Sequence, residues 1–196
     1  MGVNSPGQLQ QKIEVLEREI ALTRRFAYHD ALTGLPNRAL MLDRLEQSIA
    51  QARSKRKCVG VLLLNLDDFK RINDNLGLPL GNAILQQVAT RLLGCLGGGD
   101  TACRYDGEQF VVLLPEIASA EDMEGVRQKI GLRVRTPHRL ESRSVVLNVS
   151  IGSALFGQGA ETGADLIGIA DADRRRAKRA SVAGGMPDTG RDFQRN

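Results

Sequence analysis

The stretch TACRYDGEQFVVLL, residues 101–114, decides the fold because it predicts a β-hairpin with a polar tip. Asp106 and Gly107 lie between two extended runs, and both residue types tolerate the positive φ angles of a tight hairpin turn. The second run, residues 110–114, is continuously apolar and is followed by proline, as expected of a strand buried on both faces. Asp106 and Glu108 therefore lie on an exposed turn. They are either part of a metal or phosphate site, or only a turn residue and a solvated charge.

A second continuously apolar run, residues 59–66, predicts a central buried strand. Its end carries the polar sequence NLDDFK, residues 65–70. The next residues, 72–77, have the sequence INDNLG and predict a turn-rich connection. Because the end of this strand and the hairpin tip could meet at one sheet edge, polar groups there are well placed to form a site.

The remaining elements follow from the spacing of apolar residues. An alternating pattern over residues 144–155 predicts a further strand. The order is helix, strand, helix, hairpin, helix, strand, helix. It predicts an α/β (α+β) fold, with a mixed central sheet, flanking helices and a topology close to ferredoxin-like. The helical periods cover residues 39–52, 79–96, 120–134 and 162–180.

Residues 1–27 predict a separate N-terminal helix, with Ser5 as its N-cap and Pro6 as its first residue. Apolar and small side chains recur there at alternating spacings of four and three, which is a heptad seam. Either a two-stranded coiled coil buries this seam, or the helix folds back on its own domain. Residues 184–196 are rich in glycine and polar residues and predict a linker or disordered tail. The seam consists of Leu9, Ile13, Leu16, Ile20, Thr23 and Ala27.

The composition is that of an ordinary globular domain, with 196 residues of which 26% are charged. The net charge of +4 and the pI near 9.2 fit a phosphate-bearing ligand. Aromatic residues make up only 4% of the chain and tryptophan is missing, which argues against a nucleic-acid polymer as a partner.

Cysteine and histidine spacing gives no sign of a zinc site or of disulfides. Cys58, Cys95 and Cys103 have no CxxC spacing and predict buried thiols in a reducing compartment. His29 and His138 lack partners at ligand spacing and predict structural or exposed side chains. The sequence also has no apolar run long enough to span a bilayer and no signal peptide. A cytoplasmic location is expected, with the option of belonging to a membrane-associated signalling protein.

Several stretches, in order and at fitting separations, resemble the motifs of GGDEF domains, the diguanylate cyclase family. The resemblance covers residues 28–183 and implies a five-stranded sheet akin to the palm of nucleotide cyclases. It also implies a reaction that joins two GTP into cyclic di-GMP, with Mg²⁺, between two facing domains. A coiled coil before the domain often sets that dimer, so the resemblance favours a homodimer through residues 1–27. The stretches are DALTGLPNR (30–38), DDFKRIND (67–74), RYDGEQF (104–110), VSIG (149–152) and ADADRRRAK (170–178).

The resemblance implies metal ligands at Asn65, at the backbone of Leu66 and at Glu108. The family has aspartate where this chain has Asn65, so a neutral amide replaces a full negative charge at that position. Glu108 is retained as the second metal carboxylate. Mg²⁺ is therefore expected only together with a bound nucleotide, and no cofactor is otherwise implied.

The signature Gly-Gly-(Asp/Glu)-Glu of the family corresponds to Asp106, Gly107, Glu108 and Gln109. Glycine at the first position lets the backbone approach phosphates closely. The carboxylate of Asp106 adds bulk there and repels an anion. Gln109 replaces a second acidic residue and removes another charge.

The resemblance also implies nucleotide contacts from Phe69, Lys70, Asn73, Asn82 and Lys178. Lys70 and Lys178 match phosphate-binding lysines, and Asn73 matches the asparagine that reads guanine. Asn82 replaces an aspartate that accepts both guanine protons. The mismatch should weaken guanine selectivity, because an unpaired buried polar group costs about 1–3 kcal/mol.

The family's inhibitory product site uses Arg-x-x-Asp, and here Asp100 matches while Gly97 replaces the arginine. The leading hypothesis is a catalytically inactive GGDEF-like regulatory or dimerisation module of cyclic di-GMP signalling. It would bind GTP weakly and control an attached EAL phosphodiesterase domain or another domain of a longer chain. The alternative is a weak diguanylate cyclase that uses Glu108 and a repositioned Asp106 as metal ligands. A third reading is a structural spacer with an empty pocket.

Overall fold

A computed structural model describes residues 6–55, 58–140, 143–183 and 194–195 of the chain. The four helices predicted for the domain are all present, with ends shifted by up to three residues. In chain order the elements are α1 (Pro6–Tyr28), α2 (Arg38–Lys55), β1 (Cys58–Leu66), α3 (Phe69–Leu76), α4 (Leu78–Leu93), β2 (Thr101–Asp106), β3 (Gln109–Ile117), α5 (Ala120–Arg135), β4 (His138–Leu140), β5 (Arg143–Val145), β6 (Val149–Leu155), α6 (Gly163–Ala183) and β7 (Gln194–Arg195).

The central sheet has the strand order β2-β3-β1-β6, and all its neighbouring strands are antiparallel. This order places β3 between β1 and β2, as in the ferredoxin-like fold, and the predicted class is confirmed. The predicted mixture of strand directions is wrong for this sheet. It also has four strands in the described residues, not the five implied by the family. A separate small sheet has the order β4-β5-β7.

Both faces of the central sheet are covered by helices, which explains the continuous apolar runs of β1 and β3. Leu62 and Leu64 belong to a buried cluster with side chains of α3, α4 and α5. The alternate residues Val61 and Leu63 belong to a second cluster with α2 and α6. Successive strand residues point to opposite faces, so each run supplies both clusters.

The predicted turn-rich connection at residues 72–77 is wrong, because most of it belongs to helix α3. Phe69 and Ile72 are buried on one side of that helix. Gly77 ends it at a φ of 85°, and its N–H donates to the Asn73 carbonyl oxygen at 2.8 Å. Burial of the two apolar side chains and the glycine cap outweigh the low helix propensity of the polar residues between them.

The single strand predicted over residues 144–155 is also wrong. Residues 143–145 form β5 and pair with β4, whereas residues 149–155 form β6 and pair with β1. The break at residues 146–148 lets the chain leave one sheet and join the other. Residues 184–193 and 196, which contain most of the predicted tail, lie outside the described part of the chain.

Helix α1 exposes the described part of its heptad seam. Leu9, Ile13 and Leu16 are 48%, 48% and 55% exposed. In this structure these side chains do not pack on the domain. Ser5 and the side chains of Ile20 and Thr23 lie outside the description.

All three cysteines are free thiols, but they differ in burial. Cys95 and Cys103 are buried as predicted, whereas Cys58 is exposed at the start of β1, so that prediction is wrong for it. Burial raises the pKa of the Cys103 thiol to about 12, and the Asp30 carboxylate adds to the rise. Within the described residues, none of the helices has the length and apolar composition needed to cross a bilayer.

The C-terminal end of α5 is held by Arg91 of α4. Its guanidinium donates to the backbone oxygens of Val134 and Pro137, at 3.3 and 2.7 Å. It also lies 2.8 Å from Nε2 of His138, which is fully buried and 2.9 Å from the Val134 oxygen. His138 therefore has the structural role that its sequence context allowed. Burial lowers its pKa to about 4, the Val134 hydrogen bond opposes this, and the positive charge of Arg91 adds to it.

Replacing His138 with glutamine should reduce the loss of stability at acidic pH. The folded-state pKa of about 4 lies below the ordinary value of 6.5, so the unfolded chain binds the extra proton. Stability is complete above pH 6.5 and is lost as the pH falls towards 4. Between pH 7 and pH 5 this histidine should account for about 2 kcal/mol. Urea unfolding of both proteins at the two pH values measures the difference. An equal loss of unfolding free energy between pH 7 and pH 5 in His138→Gln would contradict the assignment of this loss to His138.

Candidate functional site

The hairpin tip lies directly beside the end of β1. Asn65 pairs with Gln109, and the Leu66 N–H donates to the Glu108 backbone oxygen at 3.3 Å. The predicted meeting of these two segments at one sheet edge is confirmed. The turn itself differs from the prediction, because Asp106 ends β2 and pairs with Gln109. The residues at the turn are Gly107 and Glu108, and only Gly107 has a positive φ, at 42°.

Two of the implied metal ligands, Asn65 and the Leu66 backbone, are hydrogen-bonded to each other. The Asn65 side-chain Nδ2 donates to the backbone oxygen of Leu66 at 3.0 Å. The amide N–H therefore points at the carbonyl that a cation would need. Mg²⁺ binds in an octahedron of oxygen ligands, usually with one or two carboxylates among them. In the described residues no three His, Cys, Asp or Glu side chains lie together in a group that could hold a metal ion, so the donor set does not fit one.

The next residue, Asp67, connects β1 to β6 and α6. Its carboxylate accepts a hydrogen bond from the Ser150 hydroxyl at 2.8 Å and forms an ion pair with Lys178 Nζ at 3.0 Å. Asp68 follows with a φ of 53° and starts helix α3, which carries the exposed Lys70. The two lysines implied in phosphate binding thus lie on either side of the β1 end. Lys178 is already paired, whereas Lys70 has no ion-pair partner in the described part of the chain.

Helices α3 and α4 bring together the residues implied in base recognition. Asn73 lies so close to Gly81 that a Cβ at Gly81 would be 1.8 Å from Asn73 Oδ1. Phe69 is buried beside them, with its Cζ 3.5 Å from the same Cβ position. Asn82 follows Gly81 and is exposed. Gly81 belongs to the stretch that resembles the family's second motif, but its sequence gives no sign of this close approach beyond a glycine near the start of a predicted helix.

A guanidinium connects the hairpin tip to the turn at residues 30–38. Arg104 Nη1 lies 3.1 Å from Asp30 Oδ1, and Arg104 Nε donates to the Gly107 oxygen at 2.8 Å. Asp30 also accepts hydrogen bonds from the backbone N–H and hydroxyl of Thr33. Burial alone raises the pKa of Asp30, but the hydrogen bonds from Thr33 and Arg104 lower it below its usual value. Both charged residues lie in stretches that carry the family resemblance, but the sequence alone does not indicate that they pair.

The two residues of the implied inhibitory site form a turn of their own. The Gly97 N–H donates to Asp100 Oδ2 at 2.8 Å, and the Asp100 N–H donates to the Gly97 oxygen at 3.2 Å. The carboxylate of Asp100 therefore closes the turn between α4 and β2. This turn is at the opposite end of β2 from the hairpin tip. The structure thus brings the implied metal and phosphate residues to the end of β1, places the base residues on helices α3 and α4, and leaves this pair apart.

Comparison with known proteins gives a consistent result. A model of the family described as "Diguanylate cyclase, GGDEF domain" matches residues 27–182. The diguanylate cyclase TpbB of Pseudomonas aeruginosa is 38% identical over 165 residues, which are 84% of this chain and 38% of TpbB. MucR of the same organism, described as a bifunctional diguanylate cyclase/cyclic di-GMP phosphodiesterase, is 36% identical over 87% of this chain and 25% of its own length. The chain thus spans about two fifths or less of these relatives.

Solved structures match the same region. The structure of TpbB from Pseudomonas aeruginosa that comprises only the GGDEF domain has a TM-score of 0.76 at 37% identity. It covers 78% of this chain and 90% of its own. The coiled coil and GGDEF domain of DgcB from Caulobacter crescentus, in complex with c-di-GMP, has a TM-score of 0.80 at 27% identity. That match covers 91% of this chain and 93% of the other.

Proposed function

The chain belongs to the GGDEF domain family of diguanylate cyclases, and on that premise we propose that it is a catalytically inactive member of it. Its role is that of a regulatory and dimerising module in cyclic di-GMP signalling. The observation that carries this proposal is the Asn65 side chain, whose N–H donates to the Leu66 carbonyl. Phosphoryl transfer of this kind depends on divalent metal held by carboxylates, and Glu108 is the only carboxylate among the implied metal ligands.

The hairpin tip supports the same proposal. Asp106 is exposed at the end of β2, where its negative charge repels the phosphates of a nucleotide. Gln109 pairs with Asn65 across the sheet edge, so two neutral amides lie where the family has acidic side chains. Glu108 is the one signature carboxylate that remains, and a single carboxylate is a weak anchor for a catalytic cation.

Weak nucleotide binding is the property that the site retains. Asn73 and Phe69 keep their places around Gly81, which supports recognition of a purine base. Lys70 is free to contact a phosphate. Lys178 can do so only by leaving Asp67, and Asn82 offers guanine one acceptor instead of two. Both features lower the affinity for GTP.

Dimerisation is assigned to helix α1, because its seam side chains Leu9, Ile13 and Leu16 are exposed. A two-stranded coiled coil buries such a seam. DgcB is a related protein whose structure includes a coiled coil before the GGDEF domain. MucR combines cyclase and phosphodiesterase functions in one chain. Control of an attached EAL phosphodiesterase domain is accordingly the proposed output of this module.

Incubation with GTP and Mg²⁺ or Mn²⁺ tests the loss of activity. A catalytic metal contributes several kcal/mol to the transition state, so we expect cyclic di-GMP to form at least about 100-fold more slowly than with TpbB at equal concentration. Chromatography of the products measures the rate. Product formation within about tenfold of that reference would contradict the proposal and favour the weak cyclase.

The assay needs protein whose dimeric state is known, since a monomer would be inactive for another reason. Sedimentation of the wild-type chain should give a dimer. The double variant Ile13→Glu, Leu16→Glu places charges in the seam and should give a monomer with an unchanged domain. A monomeric wild-type chain would contradict the dimer, and the cyclase assay would then be repeated at higher concentration.

A further inference from the structure

We propose that this site binds the metal-free polyphosphate of a guanine nucleotide, because the Asn65 amide takes the place of the divalent cation. The inference rests on the proposed function, since it concerns the nucleotide site of an inactive module. Its central observation is the contact of 3.0 Å between Asn65 Nδ2 and the Leu66 oxygen. An N–H donor satisfies this oxygen as a cation would, and the second N–H of the same amide can donate to a phosphate oxygen.

The other oxygens near the β1 end do not replace the lost ligand. Asp67 is engaged by Ser150 and Lys178, with both contacts at 3.0 Å or less. Glu108 is half-buried, and its carboxylate has no partner among the described residues. Removing bound water from Mg²⁺ has a high free-energy cost, and binding to one free carboxylate does not compensate this cost. The site therefore gains little from a metal ion that accompanies the nucleotide.

Two lysines remain to contact an anion that is not neutralised by metal, and the exposed carboxylate of Asp106 opposes them. Lys70 is exposed without an ion-pair partner in the described part of the chain, and Lys178 is shared with Asp67. Each phosphate oxygen that Mg²⁺ would occupy is free to accept a hydrogen bond from a lysine or from the Asn65 amide. Mg²⁺ in solution competes with these donors for the same oxygens. Metal should therefore weaken binding, the reverse of what a metal-dependent cyclase requires.

Calorimetric titration with GTP in EDTA and in Mg²⁺ tests the proposal. The wild-type chain should bind GTP at least as tightly in EDTA as in Mg²⁺. Asn65→Asp frees the Leu66 carbonyl and adds a carboxylate, so it should reverse this order and bind about tenfold more tightly with Mg²⁺. Lys70→Ala should weaken binding in EDTA by about tenfold. The surface variant Arg176→Ala, whose side chain is 76% exposed, should leave both affinities unchanged.

A second readout does not depend on the nucleotide. Mn²⁺ titration of the protein alone, followed by electron paramagnetic resonance, should show no bound ion in the wild type and one bound ion in Asn65→Asp. GTP binding by the wild type only in the presence of Mg²⁺ overturns the inference and leaves the inactive module standing. An absence of GTP binding in both EDTA and Mg²⁺ also overturns the inference and leaves the inactive module standing. Formation of cyclic di-GMP by the wild type overturns the proposed function itself.

Discussion

Changing four residues together should turn the chain into a metal-dependent diguanylate cyclase. The variant is Asn65→Asp, Asn82→Asp, Asp106→Gly and Gln109→Glu. The first change removes the amide N–H from the Leu66 carbonyl and restores a carboxylate for the cation. A Lewis-acidic metal supplies several kcal/mol of transition-state stabilisation, so cyclic di-GMP formation should rise by about 100-fold or more.

The other three changes act on the nucleotide. Glycine at position 106 removes the exposed carboxylate next to the turn, and glutamate at position 109 restores a charge opposite residue 65. Aspartate at position 82 accepts two protons of guanine beside Asn73. Chromatographic assay with Mg²⁺ and GTP measures the gain. Adding Glu108→Gln to the variant should abolish it. A folded variant with unchanged GTP affinity and no product would show that the pocket is closed for other reasons.

Replacing Arg91 with leucine should destabilise the domain although the residue lies outside the site. Its guanidinium lies against the last carbonyls of α5, which have no partner within the helix. Hydrogen bonds to charged groups contribute about 1.5–3 kcal/mol each, but three of these four contacts are solvent-exposed, so their contributions are reduced by competition with water. The Arg133 and Val134 oxygens also keep other partners, the Thr136 hydroxyl and the His138 ring. We expect a loss of about 2 kcal/mol in the free energy of unfolding, measured by urea denaturation. The acceptors are the backbone oxygens of Arg133, Val134, Thr136 and Pro137.

Two matched variants separate the geometry of this contact from its charge. Arg91→Lys keeps the positive charge but cannot reach several carbonyls at once, so it should lose about half as much stability. Arg176→Ala removes an exposed arginine paired with Asp173 on α6 and should change stability by less than about 0.5 kcal/mol. Similar losses for Arg91→Leu and Arg176→Ala would show that the end of α5 does not depend on this guanidinium.

The parts of the fold that the sequence predicts well are those where burial acts on consecutive residues. The runs at residues 59–66 and 110–114 are apolar on both faces, and both became central strands. Helix α3 was missed because Asn73 and Asp74 are poor helix formers and its stabilisation comes from Phe69 packing in the core. Propensity is a local quantity, whereas this packing depends on residues distant in the chain.

The candidate site could likewise be predicted only in part from local sequence information. Resemblance to the family located its residues, and the loss of charge at Asn65 follows from the sequence alone. The direction of that amide towards the Leu66 carbonyl depends on a side-chain rotamer, which no pattern of residue types specifies. The pairing of Asp67 with Lys178 joins β1 to α6, and one sequence without three-dimensional contacts does not reveal it.

The guanidinium of Arg104 has a consequence for local opening of the structure. It holds Asp30 and the Gly107 carbonyl at once, and the Arg104 backbone N–H also donates to the Pro36 oxygen at 3.0 Å. Neither the hairpin tip nor the turn at residues 30–38 can detach without breaking bonds to the other. We therefore expect the two segments to behave as one cooperative unit in hydrogen exchange, with amides that share a single opening free energy although they lie about seventy residues apart in the chain.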